Sequence, residues 1–385
     1  MSACVTLLLN PSMFTFHVTG VNSETLKLAV QRYTEWMFLV HAAPEPSLGP
    51  SSTAVLQSLQ INVRTNNETL QLGFDESYTL NVQAPVGALT ATTVYGALRG
   101  LETFSQMLTL APLHGPLLSI ANSPVAIADS PRYPHRGLMI DSSRHFLPID
   151  TIYRVLDGMS MEKANVLHWH ITDWQSTPLQ SPMYPNFEMG AYDPQEVEIS
   201  VQLHSQTYTL GQLASVVQYA QQRGIRVVPE LDTPAHSLAW GVGYPSVMIN
   251  CTGTPLCCGP TCQVSIDCGI LDPTNNFTFD LLGGLLQEVM GVFPDNYMHF
   301  GGDEVNWLCY NVSTTVQRWM LERGLPLTNE GFKGFLSRTH SLEQLWFGIT
   351  SPNCKPSSKL EARFQSSIKR LGCSDFTQQQ VDLLD

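Results

Sequence analysis

Beyond the Pro-rich stretch Ser130-Pro131-Arg132-Tyr133-Pro134 the chain repeats one pattern: a short apolar run, a polar loop and an amphipathic stretch. Gly137–Asp141 (GLMID) reads as a strand and Ile149–Lys163 as a helix. Asn165–Thr172 (NVLHWHIT) is a second strand, followed by a helix over Leu210–Arg223. Ile225–Leu231 (IRVVPEL), a helix over Phe279–Val292 and a strand over Tyr297–Gly301 complete the series. Strands alternating with helices imply a parallel sheet with right-handed crossovers. Near-continuous apolar strands such as VLHWHI suit burial on both faces. The expected fold class is therefore α/β.

In parallel α/β barrels the chemistry sits at the C-terminal ends of the strands. Here each strand end carries polar residues: Arg144 after the first, Asp173 after the second, His236 after the third, Asp303 and Glu304 after the fourth. Scattered surface charge does not predict that regularity, so these residues are expected to share one site. The fourth run, YMHFGGDEVNW, is the most informative. Its two glycines let backbone or ligand approach closely. Two carboxylates adjacent on an extended backbone point differently, which suits one to donate a proton and the other to hold a charge. A surface Asp-Glu pair at a helix start is the plain alternative. Arg144 can equally be an ordinary salt-bridge partner, and Asp173 can cap the next stretch of chain. His168 and His170 lie on one strand face and, with Asp303, would resemble a hydrolytic zinc site; packed, hydrogen-bonded core histidines are the other reading. Trp169, Trp174, Trp240 and Trp307 can stack on sugar faces or simply pack.

Upstream, residues 12–130 read as an α+β domain with a structural role. Strands are expected at Phe14–Thr19, Val55–Arg64 and Tyr78–Val82, and helices at Glu24–Phe38 and Thr93–Leu108, the latter with an apolar stripe of Val94, Leu98, Leu101, Phe104 and Leu108. The net charge of −13 is spread along the chain. Phosphate binding needs clustered Lys and Arg, so nucleic acid is not expected as a partner. No apolar run is long enough to span a bilayer. Met1–Asn10 has neither the basic nor the apolar region of a signal peptide. Yet five of nine cysteines fall within Cys251–Cys268, and Asn-X-Ser/Thr sites start at Asn67, Asn250, Asn276 and Asn311. The spacing CC-x3-C-x5-C fits no common zinc finger, so disulfides in an oxidising compartment are expected. A secretory-pathway protein whose N-terminus is incomplete here reconciles these signs.

HRGLMIDSSRHF, NVLHWHITD, GIRVVPELDTPAHSLAW and YMHFGGDEVNW, taken together and in order, resemble the leading barrel motifs of the family 20 glycoside hydrolases, the β-N-acetylhexosaminidases, with the eukaryotic lysosomal or secreted type most similar. YGALRGLETFSQ resembles the last helix of that family's N-terminal domain. The resemblance implies an N-terminal α+β domain over 1–132 and a catalytic (β/α)8-type barrel over 133–385. It implies hydrolysis of terminal β-linked N-acetylhexosamine from a glycan or glycolipid, with no cofactor or metal. The substrate's own acetamido oxygen would be the nucleophile, an exception to the two-carboxylate scheme. Glu304 would protonate the leaving oxygen, its pKa raised by partial burial near a second acid. Asp303 would hold the acetamido group, and Arg144 sugar hydroxyls. Asp173 and His236 would support them, and Trp307 would contact substrate. A lysosomal or secreted location is implied by the resemblance, and a dimer is one state open to such a chain. After about residue 338 the pattern breaks. Four further strands are expected and not found, while SLEQLWFG and the helical-looking Ser358–Leu371 resemble the end of the family's barrel domain. The barrel is therefore expected to be incomplete, and turnover by this chain weak or absent.

Overall fold

The structure, a computed structural model, describes residues 5–38, 54–111, 117–191, 206–249, 269–305, 307–327 and 367–369. Two compact units emerge: Met1–Leu138 with Asp150–Leu167 and Gln218–Arg226, and Met139–Ile149 with His168–Val217 and Val227–Asp385.

The first unit carries two sheets. In chain order its N-terminal elements are β1 (Val5–Leu9), β2 (Thr15–Thr19), α1 (Glu24–Phe38), β3 (Ala54–Val55), β4 (Ser58–Val63), β5 (Tyr78–Val82), β6 (Val86–Ala91), α2 (Val94–Gln106), β7 (Thr109–Leu110), β8 (Leu118–Ser123) and β9 (Val125–Asp129). One sheet runs β3-β1-β8-β7, the other β2-β4-β6-β5-β9. Along β4 and β5 every second residue is buried, so Leu59, Ile61 and Val63 meet Tyr78, Leu80 and Val82 in a core closed by α1 and α2. Both helices form where the apolar spacing places them. Thr93 caps α2 by accepting the amide of Gly96, which satisfies an otherwise orphaned donor. Near the start of the chain, Leu7, Leu8 and Leu9 are buried in β1.

Helix α2 buries its charged residues as well as its stripe. Arg99 donates to Glu76 at 2.7 Å and to the backbone carbonyls of Arg223 and Gly224. Glu76 also takes Arg136 and the Asn165 amide. A buried carboxylate is tolerable only when so paired.

The third sheet is β10 (Gly137–Asp141), β11 (Val166–Thr172), β12 (Arg226–Leu231), β13 (Tyr297–His299) and β14 (Ser367–Lys369), in that order. Between the first four lie α3 (Ile149–Met161), α4 (Leu210–Gln221), α5 (Trp240–Gly243) and α6 (Asn276–Val292); α7 (Trp307–Val312) and α8 (Thr314–Glu322) follow β13. Consecutive strands are neighbours and β12 pairs parallel with β13. This is the start of a (β/α)8-type barrel, as expected. Trp169 and Trp240 are fully buried, so they pack rather than stack on sugars.

One expectation is overturned. Within Ser358–Leu371, expected to be helical, Ser367–Lys369 is a strand running antiparallel along β13. An open strand edge presents unpaired N–H and C=O groups, and that edge outweighs local helical preference. The rest of that segment, SLEQLWFG and the Cys251–Cys268 cluster lie outside the described residues. Cys309 is disulfide-bonded, and every other cysteine lies outside the described residues.

Candidate active site

All the strand-end residues singled out above except Trp307 converge in the second unit. At the end of β10, Asp141 accepts the backbone amides of Ser143 and Arg144, turning the chain back. This returns the Arg144 guanidinium to Asp141 at 2.9 Å and brings it to Asp173 at 2.7 Å. Asp173 is fully buried. It caps no helix; its oxygens take the Trp174 amide, Arg144, His170 at 2.8 Å and His236 at 3.2 Å. Burial alone would raise its pKa, but the hydrogen bonds from His170 and His236 hold it down to about 2.

His236 follows the cis Thr233–Pro234 bond and has φ +54°. A non-glycine residue held in this left-handed region is a local strain that surrounding structure must enforce. Its Nδ1 faces Asp173. Its Nε2 stands 3.4 Å from Glu304 and 4.0 Å from Asp303, ion-pair distances without hydrogen-bond geometry. The hydrogen bond to Asp173 raises the His236 pKa.

After β13 the chain turns through Gly301 (φ +64°), Gly302 (φ +102°) and Glu304 (φ +52°). Gly301 is required twice over, by its φ and because a Cβ there would fall 1.6 Å from Asp232 Oδ1. Both carboxylates reach the same histidine, so the turn brings together two side chains that an extended backbone would send apart. The expectation that Glu304 is partly buried is not met: the side chains of Asp303 and Glu304 are each 74% exposed. The turn that delivers them lifts them off the sheet, and no described residue covers them. The backbone of α7 starts at Trp307, whose side chain lies outside the described part of the structure.

Sequence reasoning missed Glu230 and Asp232. Glu230, one residue from the end of β12 and 4% exposed, is grasped by three histidines: His168, His170 (2.9 Å) and His299 (2.9 Å). Burial would raise its pKa, but these contacts drive it far below the carboxylate range. His170 therefore has Glu230 on Nδ1 and Asp173 on Nε2. With a carboxylate on each nitrogen both must carry hydrogen, so the ring is a cation. Burial opposes this, yet the two hydrogen bonds bring its pKa up to about 10. His168 and His170 are thus packed, hydrogen-bonded core residues. A continuous line of polar contacts runs from Glu230 through His170, Asp173 and His236 to Glu304.

Asp232 sits just past β12, 3% exposed, and accepts the Gly302 amide at 3.2 Å. Burial first, then the charges of Glu230 and Asp303, push its pKa up to about 7. A carboxyl whose folded pKa is raised supplies stability that is complete below about pH 4 and lost as pH rises through 7. Asp232→Asn keeps the acceptor and never ionises. It is expected to raise stability at pH 8 by on the order of 2 kcal/mol while changing little at pH 4. Urea midpoints at the two pH values check this, and a variant less stable than the parent at pH 8 refutes it.

Among the described residues, three groups of side chains bring possible metal-ligand atoms within 4.8 Å of one another: His168, Glu230 and His299; His170, Asp173 and Asp232; Asp232, His236 and Asp303. The zinc set of His168, His170 and Asp303 is not among them, because the two histidines face Glu230 while Asp303 faces His236.

Residues 133–344 match the family described as glycosyl hydrolase family 20, catalytic domain, and residues 3–107 match a beta-acetyl hexosaminidase like family. The chain is 42% identical over 294 residues to beta-hexosaminidase 1 of Arabidopsis thaliana, covering 74% of this chain and 50% of that one. It is 39% identical over 311 residues to the beta-hexosaminidase subunit beta of Homo sapiens, covering 79% and 52%. Among solved structures it resembles the chitobiase of Flavobacterium johnsoniae, with a TM-score of 0.70 and 28% identity over 89% of this chain and 49% of that one. The chain thus spans about half the length of the curated relatives it matches. With more than half of its residues inside the catalytic-domain match, the chain belongs to glycosyl hydrolase family 20.

Proposed function

We propose that this chain carries the acid-base half of a site for hydrolysing terminal non-reducing β-linked N-acetylhexosamine, GlcNAc or GalNAc, from a glycan or glycolipid. The observation that carries the reading is that His236, backed by the buried Asp173, meets Asp303 and Glu304 at once. Glu304 donates a proton to the glycosidic oxygen as the C1–O bond breaks. The substrate's acetamido oxygen forms the new bond to C1, which makes the net reaction retaining once water opens the ring. Asp303 accepts the acetamido N–H and balances the positive charge that develops there. The tether from Glu230 to His236 fixes the imidazole beside the acids, and Arg144, fixed by Asp141 and Asp173, presents donors to sugar hydroxyls. Trp307 is assigned to substrate contact on its place in the sequence alone. Within this reading residues 1–132 form the N-terminal α+β domain and 133–385 the barrel domain. No described helix is long and apolar enough to cross a membrane. The disulfide at Cys309 supports a lysosomal or secreted location.

The test compares a chromogenic N-acetyl-β-D-glucosaminide with the β-glucoside lacking the acetamido group. Turnover of only the former is expected. Glu304→Gln is expected to lower it by about 10²–10⁴-fold, the usual worth of a general acid, and a chelator to leave it unchanged. Equal cleavage of both sugars, or activity that survives Glu304→Gln, sinks the proposal. The 74% exposure of both acids favours a second reading, binding without turnover. N-acetylglucosamine that binds the parent but not Arg144→Ala, with no hydrolysis, selects it.

A further inference from the structure

We infer that Asn67 is an acceptor for an N-linked oligosaccharide. This goes beyond the catalytic reading and does not depend on it. Asn67-Glu68-Thr69 lies in the loop between β4 and β5, where no helix or strand claims the backbone. The middle residue is pinned inward: Thr25 donates its hydroxyl to the Glu68 carboxylate at 2.6 Å, and Tyr95 donates its hydroxyl to the Glu68 carbonyl at 2.9 Å. With Glu68 held on both sides, its two neighbours are left facing water, and both Asn67 and Thr69 are exposed. The Thr69 amide donates to Asn67 Oδ1 at 3.0 Å, closing a turn that sets the asparagine carboxamide beside the threonine. The Asn67 amide in turn donates to Thr65. A bulky hydrophilic group attached there extends into solvent without displacing any described contact.

The other described Asn-X-Ser/Thr sites are built differently. Asn276 opens α6, and the Thr278 hydroxyl is buried in that helix at 1% exposure. Asn311 lies inside α7, and Ser313 is 2% exposed, its hydroxyl accepting the Val316 amide at the start of α8. In both, the hydroxyl that must accompany the asparagine is shielded from water, at Thr278 by burial and at Ser313 by burial and its cap to Val316. The disulfide at Cys309 points independently to the oxidising compartment in which such transfer occurs.

The donor is a polyprenyl-diphosphate-linked oligosaccharide. Asn67 Nδ2 forms the bond to the anomeric carbon as the bond from that carbon to the diphosphate oxygen breaks. The electron pair leaves on the polyprenyl diphosphate, and one amide proton is lost to solvent. No redox partner is needed.

The test is to express the full chain behind a secretory leader in eukaryotic cells. The protein is treated with peptide-N-glycosidase in heavy-oxygen water, and the peptide spanning Asn67 is read by mass spectrometry. Aspartate bearing the heavy label at position 67 is expected in most molecules. Thr69→Ala is expected to abolish the label and one glycan's worth of gel shift, while Thr69→Ser retains both. That pair separates loss of the acceptor from loss of the fold. Chain retained inside the cell is analysed in the same way. Unlabelled Asn67 in the parent, with or without label at Asn276 or Asn311, overturns the proposal.

Discussion

Expressed as its 385 residues alone, the chain is expected to hydrolyse a chromogenic N-acetyl-β-D-glucosaminide with a kcat/KM at least about 10³-fold below that of the Arabidopsis relative. About 4 kcal/mol of lost transition-state stabilisation corresponds to that factor. The source of the loss is visible in the side chains that would do the chemistry. Asp303 and Glu304 are 74% exposed. Charges in bulk water interact several-fold more weakly than charges screened from it, and a solvated carboxylate stabilises a developing cation less than a preorganised one. The attacking acetamido group must also be held in line, and positioning of that kind is worth several kcal/mol by itself. The chain spans about half the length of the relatives it matches. A kcat/KM within tenfold of the relative's would show that four βα units suffice.

Glu230→Gln is expected to destabilise the second unit by about 3–5 kcal/mol, the usual cost of removing one partner from a buried ion pair. The side chain is 4% exposed and takes three histidines. Its amide replacement would present hydrogens to rings that also carry them. The pH dependence gives a second readout. His170, with its folded pKa raised from 6.5 to about 10, adds stability that is complete below pH 6.5 and lost as pH rises towards 10. Asp173, lowered to about 2, adds stability present above the ordinary carboxylate range and lost as pH falls towards 2. Between roughly pH 4.5 and 6.5 both contributions are intact. The parent should therefore weaken from pH 6.5 to 10, and Glu230→Gln should flatten that decline by removing one of the two carboxylates that hold the His170 proton. Urea midpoints followed by tryptophan fluorescence measure both effects. A variant within about 1 kcal/mol of the parent, or with the same alkaline slope, shows that the histidines stabilise the strand without charge.

The strand ends were legible because polar residues recur there at regular places in an apolar series, a pattern that scattered charge does not make. The bounds of α1 and β10 are those expected from the sequence. Glu230 escaped because one acid inside VVPEL reads as an interruption of an apolar run. Its signal was the company it must keep, since a buried charge requires partners and His168, His170 and His299 stand on adjoining strands. Asp232 escaped for a different reason: its role depends on a glycine turn 70 residues later. β6 (VGALTA) has Gly87, Ala88 and Ala91 among its six residues, and these dilute the strand signal of Val86 and Thr90. The exposure of Glu304 was not legible at all, because it depends on the backbone turn through Gly301 and Gly302.

The tail strand β14 has a further effect. It lies antiparallel on β13 over Tyr297–His299, whereas a (β/α)8 barrel continues at that seam with a strand of the opposite sense. The seam is plugged in a direction that the barrel cannot extend. Any strand joining the seam in the barrel's sense would first have to peel away these three residue pairs, so growth of the sheet competes with a contact already made.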